Sequence, residues 1–202
     1  MATTATPSTP SVSPVGGFRV ISVDQYHRMI QAGILIEGEP IELLEGYLVN
    51  KMPQNPPHAA TTSRLTSRLP RQLPTGWFLR GQLPVTLSDS EPEPDAAIVR
   101  GDVTSFDRRH PAPPDFGIVV EVADSTLVFD RRDKGRIYAR AGIPVYWIVN
   151  VADRQVEVYT DPQPGASPPA YATRTDYLPG QDVPILLDGQ AVSAIPAADL
   201  LP

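Results

Sequence analysis

Phe116-Gly117-Ile118-Val119-Val120-Glu121-Val122, then the segment from about Asp130 to Ala141, then Val145-Tyr146-Trp147-Ile148-Val149, decide the fold of this 202-residue chain. The two outer runs are short, apolar and rich in β-branched side chains, which predicts buried strands. The segment between them has helical spacing. A strand, a helix and a strand in that order predict two parallel strands of one sheet, because the crossover is long enough to bring the chain back alongside itself. Glu121 interrupts the first run. A carboxylate is costly to bury there unless it is paired or binds a metal.

Working outward, Pro94-Asp95-Ala96-Ala97-Ile98-Val99 predicts a second strand with an acid near its end. A strand from Trp77 to Leu87 and a turn over Ser88 to Pro92 precede it, and a polar, proline-rich loop from Gly101 to Pro114 follows. Nearer the N-terminus, Ser22 and Gln25 make a capping box for a short helix with Tyr26, Met29 and Ile30 as its apolar stripe and Gly33 as its stop. Ile41 to Leu44 and Tyr47 to Val49 flank Glu45-Gly46 as a hairpin. A second helix is expected from about His58 to Leu73, with Leu65 and Leu69 inward, Arg64, Arg68 and Arg71 outward, and Pro70 ending its regular part. Gln155 to Thr160 and Tyr171 to Tyr177 predict a closing antiparallel hairpin, and the tail from Val183 is too short to be a domain of its own. The sum is one mixed α/β domain over residues 18–202 behind a disordered tail over 1–17, where Ser, Thr, Pro and Gly bury too little to offset ordering.

On a helical wheel at about 100° per residue, Lys134, Ile137, Tyr138 and Ala141 share one arc, with Arg132, Arg136 and Arg140 opposite. A lysine on the inward stripe can snorkel toward a polar cavity at the end of the sheet. The nearest such cavity is where Asp95 and Glu121 would point. Two acids on adjacent strands with a lysine nearby are the parts needed to hold a divalent cation and hydrolyse a phosphodiester. The blander reading puts Lys134 at a frayed first turn reaching solvent, and makes the arginine face an ordinary solvated surface rather than a phosphate contact.

Bulk composition narrows the alternatives. Hydrophobic residues at 41% and charged residues at 20% fit a soluble globular protein. No apolar run approaches the ~20 residues of a membrane helix. Met1 to Pro14 lacks the basic and apolar regions of a signal peptide, and the absence of cysteine removes disulfides and thiolate metal sites, which fits a cytoplasmic protein. A formal charge of −6 argues against broad nonspecific nucleic-acid binding, though not against one basic face. Phosphate-binding glycine loops, zinc-type His/Cys spacing and the G-x-S-x-G nucleophile element are all missing.

Glu42-Leu43-Leu44-Glu45-Gly46, His58, Gln82, Pro94-Asp95, Glu121-Val122, Lys134, and Tyr138 leading to Gly142-Ile143-Pro144-Val145-Tyr146-Trp147 resemble the Uma-two family of restriction-endonuclease-like proteins. That family belongs to the PD-(D/E)XK nuclease superfamily, and the resemblance runs from about Ser22 to Tyr159. It implies a mixed central sheet flanked by helices, with Asp95 and Glu121 as metal ligands and Glu42 as the upstream acid. The superfamily's usual lysine sits two residues after the second acid, where this chain has Ala123. Lys134, thirteen residues past Glu121, looks like that lysine displaced from strand to helix. Glu42 and Glu45 both flank the hairpin turn, so the pattern leaves open which of them faces the site.

The implied chemistry is metal-dependent hydrolysis of a phosphodiester in DNA. Mg²⁺ (or Mn²⁺) would take the carboxylates of Asp95 and Glu121, the carbonyl of Val122 and several waters, and Lys134 would orient the nucleophile. His58 could act as a general base or only cap a helix. Gln82, Arg132 and Arg136 could contact the phosphate backbone. Cutting both strands would favour a homodimer. The alternative keeps the fold without catalysis, as a nucleic-acid-binding or interaction module whose acids form internal ion pairs.

Overall fold

The computed structural model describes residues 19–36 and 38–202; the tail expected to be disordered, residues 1–17, lies outside them. Ser22 caps α1 (Val23–Gln31) with the expected capping box, and Gly33, at φ +67°, supplies the left-handed turn that ends it. Its inward residues are Val23 and Tyr26; Ile30, expected in the apolar stripe, is exposed. The hairpin β1 (Ile41–Leu44) and β2 (Tyr47–Asn50) turns on Glu45 and Gly46, whose φ values of 50° and 79° are those of a two-residue primed turn.

α2 (Pro56–Arg68) starts earlier than expected because Asn55 caps it and Pro56 and Pro57 occupy its first turn, where a missing N–H costs nothing. Leu65 and Leu69 are fully buried, and Pro70 falls in the tighter 3₁₀ turn Leu69–Gln72 that closes the segment. The central sheet has six strands in the order β3 (Trp77–Gly81), β4 (Ala96–Arg100), β5 (Phe116–Ala123), β6 (Val145–Asn150), β7 (Gln155–Gln163) and β8 (Ala170–Tyr177). Only β5 and β6 run parallel, as the strand–helix–strand order requires. β3 is shorter than the expected Trp77 to Leu87: it ends at Gly81, because Gln82 takes φ +51° and Pro84 has no N–H for a ladder.

Every residue of β5 and β6 is buried, since both faces of the sheet are covered. On one face Ile118, Val120, Val122 and Trp147 pack against Leu65 and Leu69 and against a C-terminal hairpin, β9 (Asp182–Leu187) and β10 (Gln190–Pro196), with α5 (Ala197–Leu200) beyond it. The tail is therefore a structural layer, through Val183, Ile185, Leu187 and Ile195. On the other face Val119, Tyr146 and Ile148 pack against Ile137 and Tyr138 of the crossover helix.

That helix begins at residue 127, not 130, and changes pitch along its length: α3 (Leu127–Phe129), a π turn over Asp130–Lys134, then α4 (Gly135–Arg140). The Gly135 N–H reaches back to the Asp130 carbonyl, the five-residue bond that defines a π turn. The Tyr146 hydroxyl donates to the same carbonyl at 3.1 Å. A Cβ on Gly135 would sit 3.3 Å from that oxygen, so the position is tight for any other residue. Among the described residues no helix is long and apolar enough to cross a membrane.

Candidate active site

Antiparallel pairing sets Ala96 against Val120, so the next step of the register brings Asp95 beside Glu121. One further step sets Pro94 against Val122. A proline nitrogen carries no hydrogen, so the ladder cannot continue there. Instead the Val122 N–H donates to Asp95 Oδ2 at 2.8 Å, which ties the first acid to the strand bearing the second. His58, one turn into α2, shares that same oxygen through Nε2 at 3.1 Å. Burial pulls the imidazole pKa down, but the hydrogen bond and the charge of Asp95 outweigh it and leave His58 above its ordinary value.

Lys134 is only 5% exposed, and it reaches the acids as the wheel predicts. Its Nζ lies 2.9 Å from Glu42 Oε2 and 3.3 Å from Glu121 Oε1. The Tyr138 hydroxyl, one turn further along the helix, donates to Glu121 Oε1 at 2.7 Å. Glu42 Oε2 also accepts the Glu93 N–H at 3.1 Å. The choice between the two hairpin acids is thus resolved: Glu42 points inward, while Glu45 points outward and pairs with Arg136 and Arg140. Burial works against the Lys134 charge, but Glu121 and Glu42 outweigh it and hold the ammonium protonated well above its usual range. Burial pushes the Glu121 carboxyl up to about 8, with the Lys134 ammonium pulling the other way and the Asp95 charge adding to the push.

Glu42, His58, Asp95, Glu121 and Lys134 line one cleft of about 750 Å³, together with Gln82, Asp124 and Asp130. Asp130 was not singled out from the sequence. It is 4% exposed and accepts the Thr126 hydroxyl, and burial lifts its carboxyl to about 6. Its signal was present in the sequence: Asp130 lies four residues before Lys134, so an α-helical wheel puts it within about 40° of that lysine, on the inward stripe. Asn55, the cap of α2, bonds to Asp124 across the cleft wall. Gln82 reaches the cleft from the kink that ends β3, where its N–H donates to the Asp95 carbonyl. Arg132 and Arg136 do not line the cleft: Arg132 is exposed and pairs with Asp133, and Arg136 is engaged by Glu45 and Asp133.

The donor set can be tested for a hard cation. Asp95 Oδ1 and Glu121 Oε2 accept no hydrogen bond among the described residues, whereas the second oxygen of each acid is fixed by protein donors. One free oxygen per acid, next to a main chain that proline leaves open at Val122, is a set of the type Mg²⁺ takes. No three His, Cys, Asp or Glu side chains among the described residues converge tightly enough to hold an ion by themselves. A metal that retains several waters needs no third side chain. Glu42, Asp95, Glu121 and Asp130 also face a single ammonium, so the set carries surplus negative charge that either a proton or a divalent cation relieves.

No protein of curated function matches the chain. The fold is similar to that of a crystal structure described as a putative nuclease belonging to DUF820 from Anabaena variabilis ATCC 29413, with a TM-score of 0.66 and 18% identity, covering 89% of this chain and 97% of that one. The family described as "Uma2: Putative restriction endonuclease" matches residues 23–191. That span takes in every segment that contributes a side chain to the cleft, and the chain belongs to the Uma2 family.

Proposed function

We propose that the protein is a divalent-metal-dependent nuclease that hydrolyses phosphodiester bonds in DNA. The observation that carries this reading is the meeting of Asp95, Glu121 and Lys134, from two strands and a helix, with Lys134 Nζ 3.3 Å from Glu121. Asp95 and Glu121 would hold Mg²⁺ or Mn²⁺ through their unbonded oxygens, with the Val122 carbonyl and water completing the shell. When bound, the cation supplies a water of lowered pKa and neutralises charge on the scissile phosphate.

The chain's own residues do the rest. His58 and the Val122 N–H fix one oxygen of Asp95, and Tyr138 fixes one oxygen of Glu121, so each acid presents its other oxygen in a set direction. Lys134 places a fixed positive charge beside Glu121, where it orients the attacking water and meets negative charge developing on the phosphate. Glu42 keeps that ammonium from swinging away. Cutting both strands of a duplex would call for two copies about a two-fold axis.

Plasmid cleavage in Mg²⁺ is the test. Wild type should nick supercoiled DNA, EDTA should stop it, and Asp95→Ala should be inactive. Cleavage by Asp95→Ala at the wild-type rate would sink the assignment. Binding of DNA without any cutting, in either cation, would favour the non-catalytic module instead.

A further inference from the structure

The cleft is not built to receive the charged backbone of a duplex. It is lined by Glu42, Glu93, Asp95, Glu121, Asp124 and Asp130, and its two lysines are already engaged, Lys51 with Glu93 and Lys134 with Glu42 and Glu121. No arginine lines it. A duplex track needs cations along two strands of phosphates, and here only the acids and their metal could meet one phosphate at a time.

The rest of the wall mixes polar side chains, among them Asn50, Gln54 and Ser125, with an apolar patch. Val49, Met52, Pro53 and Phe129 line it, and Met52 is 66% exposed, an unusual position for a large hydrophobic side chain. Phe129 is the one Phe, Tyr or Trp among the lining residues, and the other ring there, His58, is engaged by Asp95. The π turn that follows Phe129 has more than four residues per turn, so Phe129, five residues before Lys134, stays on the cleft side with that lysine. The ring is partly buried and packs against the apolar cluster on that face of the sheet, which includes Ile137 and Tyr138. At about 750 Å³ the cavity lies within the roughly 300–1,000 Å³ that encloses one small organic ligand, the scale of a nucleotide.

Resting on the nuclease reading above, we infer that the substrate is an unpaired segment of DNA. One unstacked base lies against Phe129 and the Met52-Pro53 wall while its phosphate sits at Asp95 and Glu121. Stacking is indifferent to base identity because every base has a π face, so the site selects for unpaired strand and not for sequence.

Three DNAs of one sequence separate the possibilities: a single-stranded 30-mer, its blunt duplex, and the duplex with an internal unpaired loop, each with Mg²⁺. The single strand and the loop should be cut at least about tenfold faster than the blunt duplex. Phe129→Leu keeps an apolar side chain against the helix but removes the ring; it should raise KM for the single strand about tenfold with kcat changed far less. Phe129→Trp should restore KM. A readout independent of cutting is the fluorescence of a single strand carrying 2-aminopurine, which should be quenched on binding to wild type and Phe129→Trp and not to Phe129→Leu. Equal cutting of all three DNAs, or an unchanged KM and quench in Phe129→Leu, overturns the inference and leaves the nuclease reading standing. Quenching that depends on the ring, with no cutting of any DNA, overturns the nuclease reading and supports the base site.

Discussion

Glu121 and Glu157 are the same residue type in the same sheet and on the same face, and they are treated in opposite ways. Register places Glu121 opposite Ile148 and Ile148 opposite Glu157, so the two acids lie in one row with a single residue between them. Both are buried, at 6% and 0% exposure, and both are served by the crossover helix, Glu121 by Lys134 and Glu157 by Arg131 three residues earlier. Glu157, however, has a full set of donors: Arg131 through two nitrogens, Asn150, Gln155 and Tyr159. Burial alone would raise its carboxyl, but these bonds outweigh that and hold it at about 2. Glu121 has one hydrogen bond, from Tyr138, and the Lys134 ammonium beside the same oxygen, with no donor among the described residues on the other, and sits at about 8. A buried acid whose hydrogen bonds are complete anchors structure. One left incomplete beside a cavity is available for a cation.

The contrast can be broken most severely at Asp95. Asp95→Asn should lower Mg²⁺-dependent cleavage by about a thousandfold while leaving thermal unfolding nearly unchanged, because the amide oxygen still accepts the Val122 N–H and only the charge facing the cleft is lost. A matching loss of stability would show that the Asp95–Glu121 pair is structural like Glu157.

Glu157→Gln should do the reverse. It removes the buried charge that Arg131 and Arg174 both meet, leaving Arg131, whose side chain is 34% exposed, with Asp153 at 4.0 Å, and should cost about 2–3 kcal/mol of stability in urea titration. The acid's depressed folded-state pKa also sets a pH window. Its contribution is complete above the ordinary carboxyl value near 4.5 and is lost as pH falls toward 2, amounting to about 3 kcal/mol in wild type and absent in Glu157→Gln. Glu121 carries the opposite sign. Its raised pKa means that, without metal, stability present at acid pH is lost as pH rises from about 4.5 through 8, and Glu121→Gln should flatten that alkaline fall. If melts of the two variants showed the same pH dependence, the distinction between the acids would be lost.

Two hydroxyls sharpen the comparison at smaller scale. Tyr138→Phe removes the donor to Glu121 and should slow cleavage, or weaken Mg²⁺, by about tenfold. Tyr159→Phe removes the donor to Glu157 and should cost about 1 kcal/mol with cleavage unaltered. Enzyme assays and melts on this pair would expose any leakage of function into the Glu157 network.

Much of the site was legible before the fold. Glu121 within an apolar run, Asp95 at a strand end and Lys134 on an inward stripe each announce themselves, because a charge amid hydrophobic periodicity is costly without a partner. The arginine face was legible as a face, but not its use. Arg136 and Arg140 serve Glu45 and Asp89, contacts that depend on where the β1–β2 hairpin docks. Gln82 was read as part of a continuing strand because Trp77 to Leu87 looks uniformly extended, while the turn at Gln82 answers to Asp95, thirteen residues on. Asp130 was equally legible, four residues before Lys134 on the same side of the wheel, whereas Phe129 reaches the cleft because the turn after it is π.

By itself the sequence determined the succession of strand, crossover helix and strand, the capped start of α1, the hairpin over Glu45 and Gly46, and the inward stripe of the crossover helix. Those follow from periods of 2 and 3.6 and from side chains acting on their own backbone within a few residues. Only the tertiary structure decided that Glu42 and not Glu45 meets Lys134, that the crossover helix widens into a π turn under the Tyr146 hydroxyl, and that the C-terminal hairpin closes the second face of the sheet. Each of these depends on groups brought together from distant parts of the chain, and the free energy of such contacts exists only once the layers have packed.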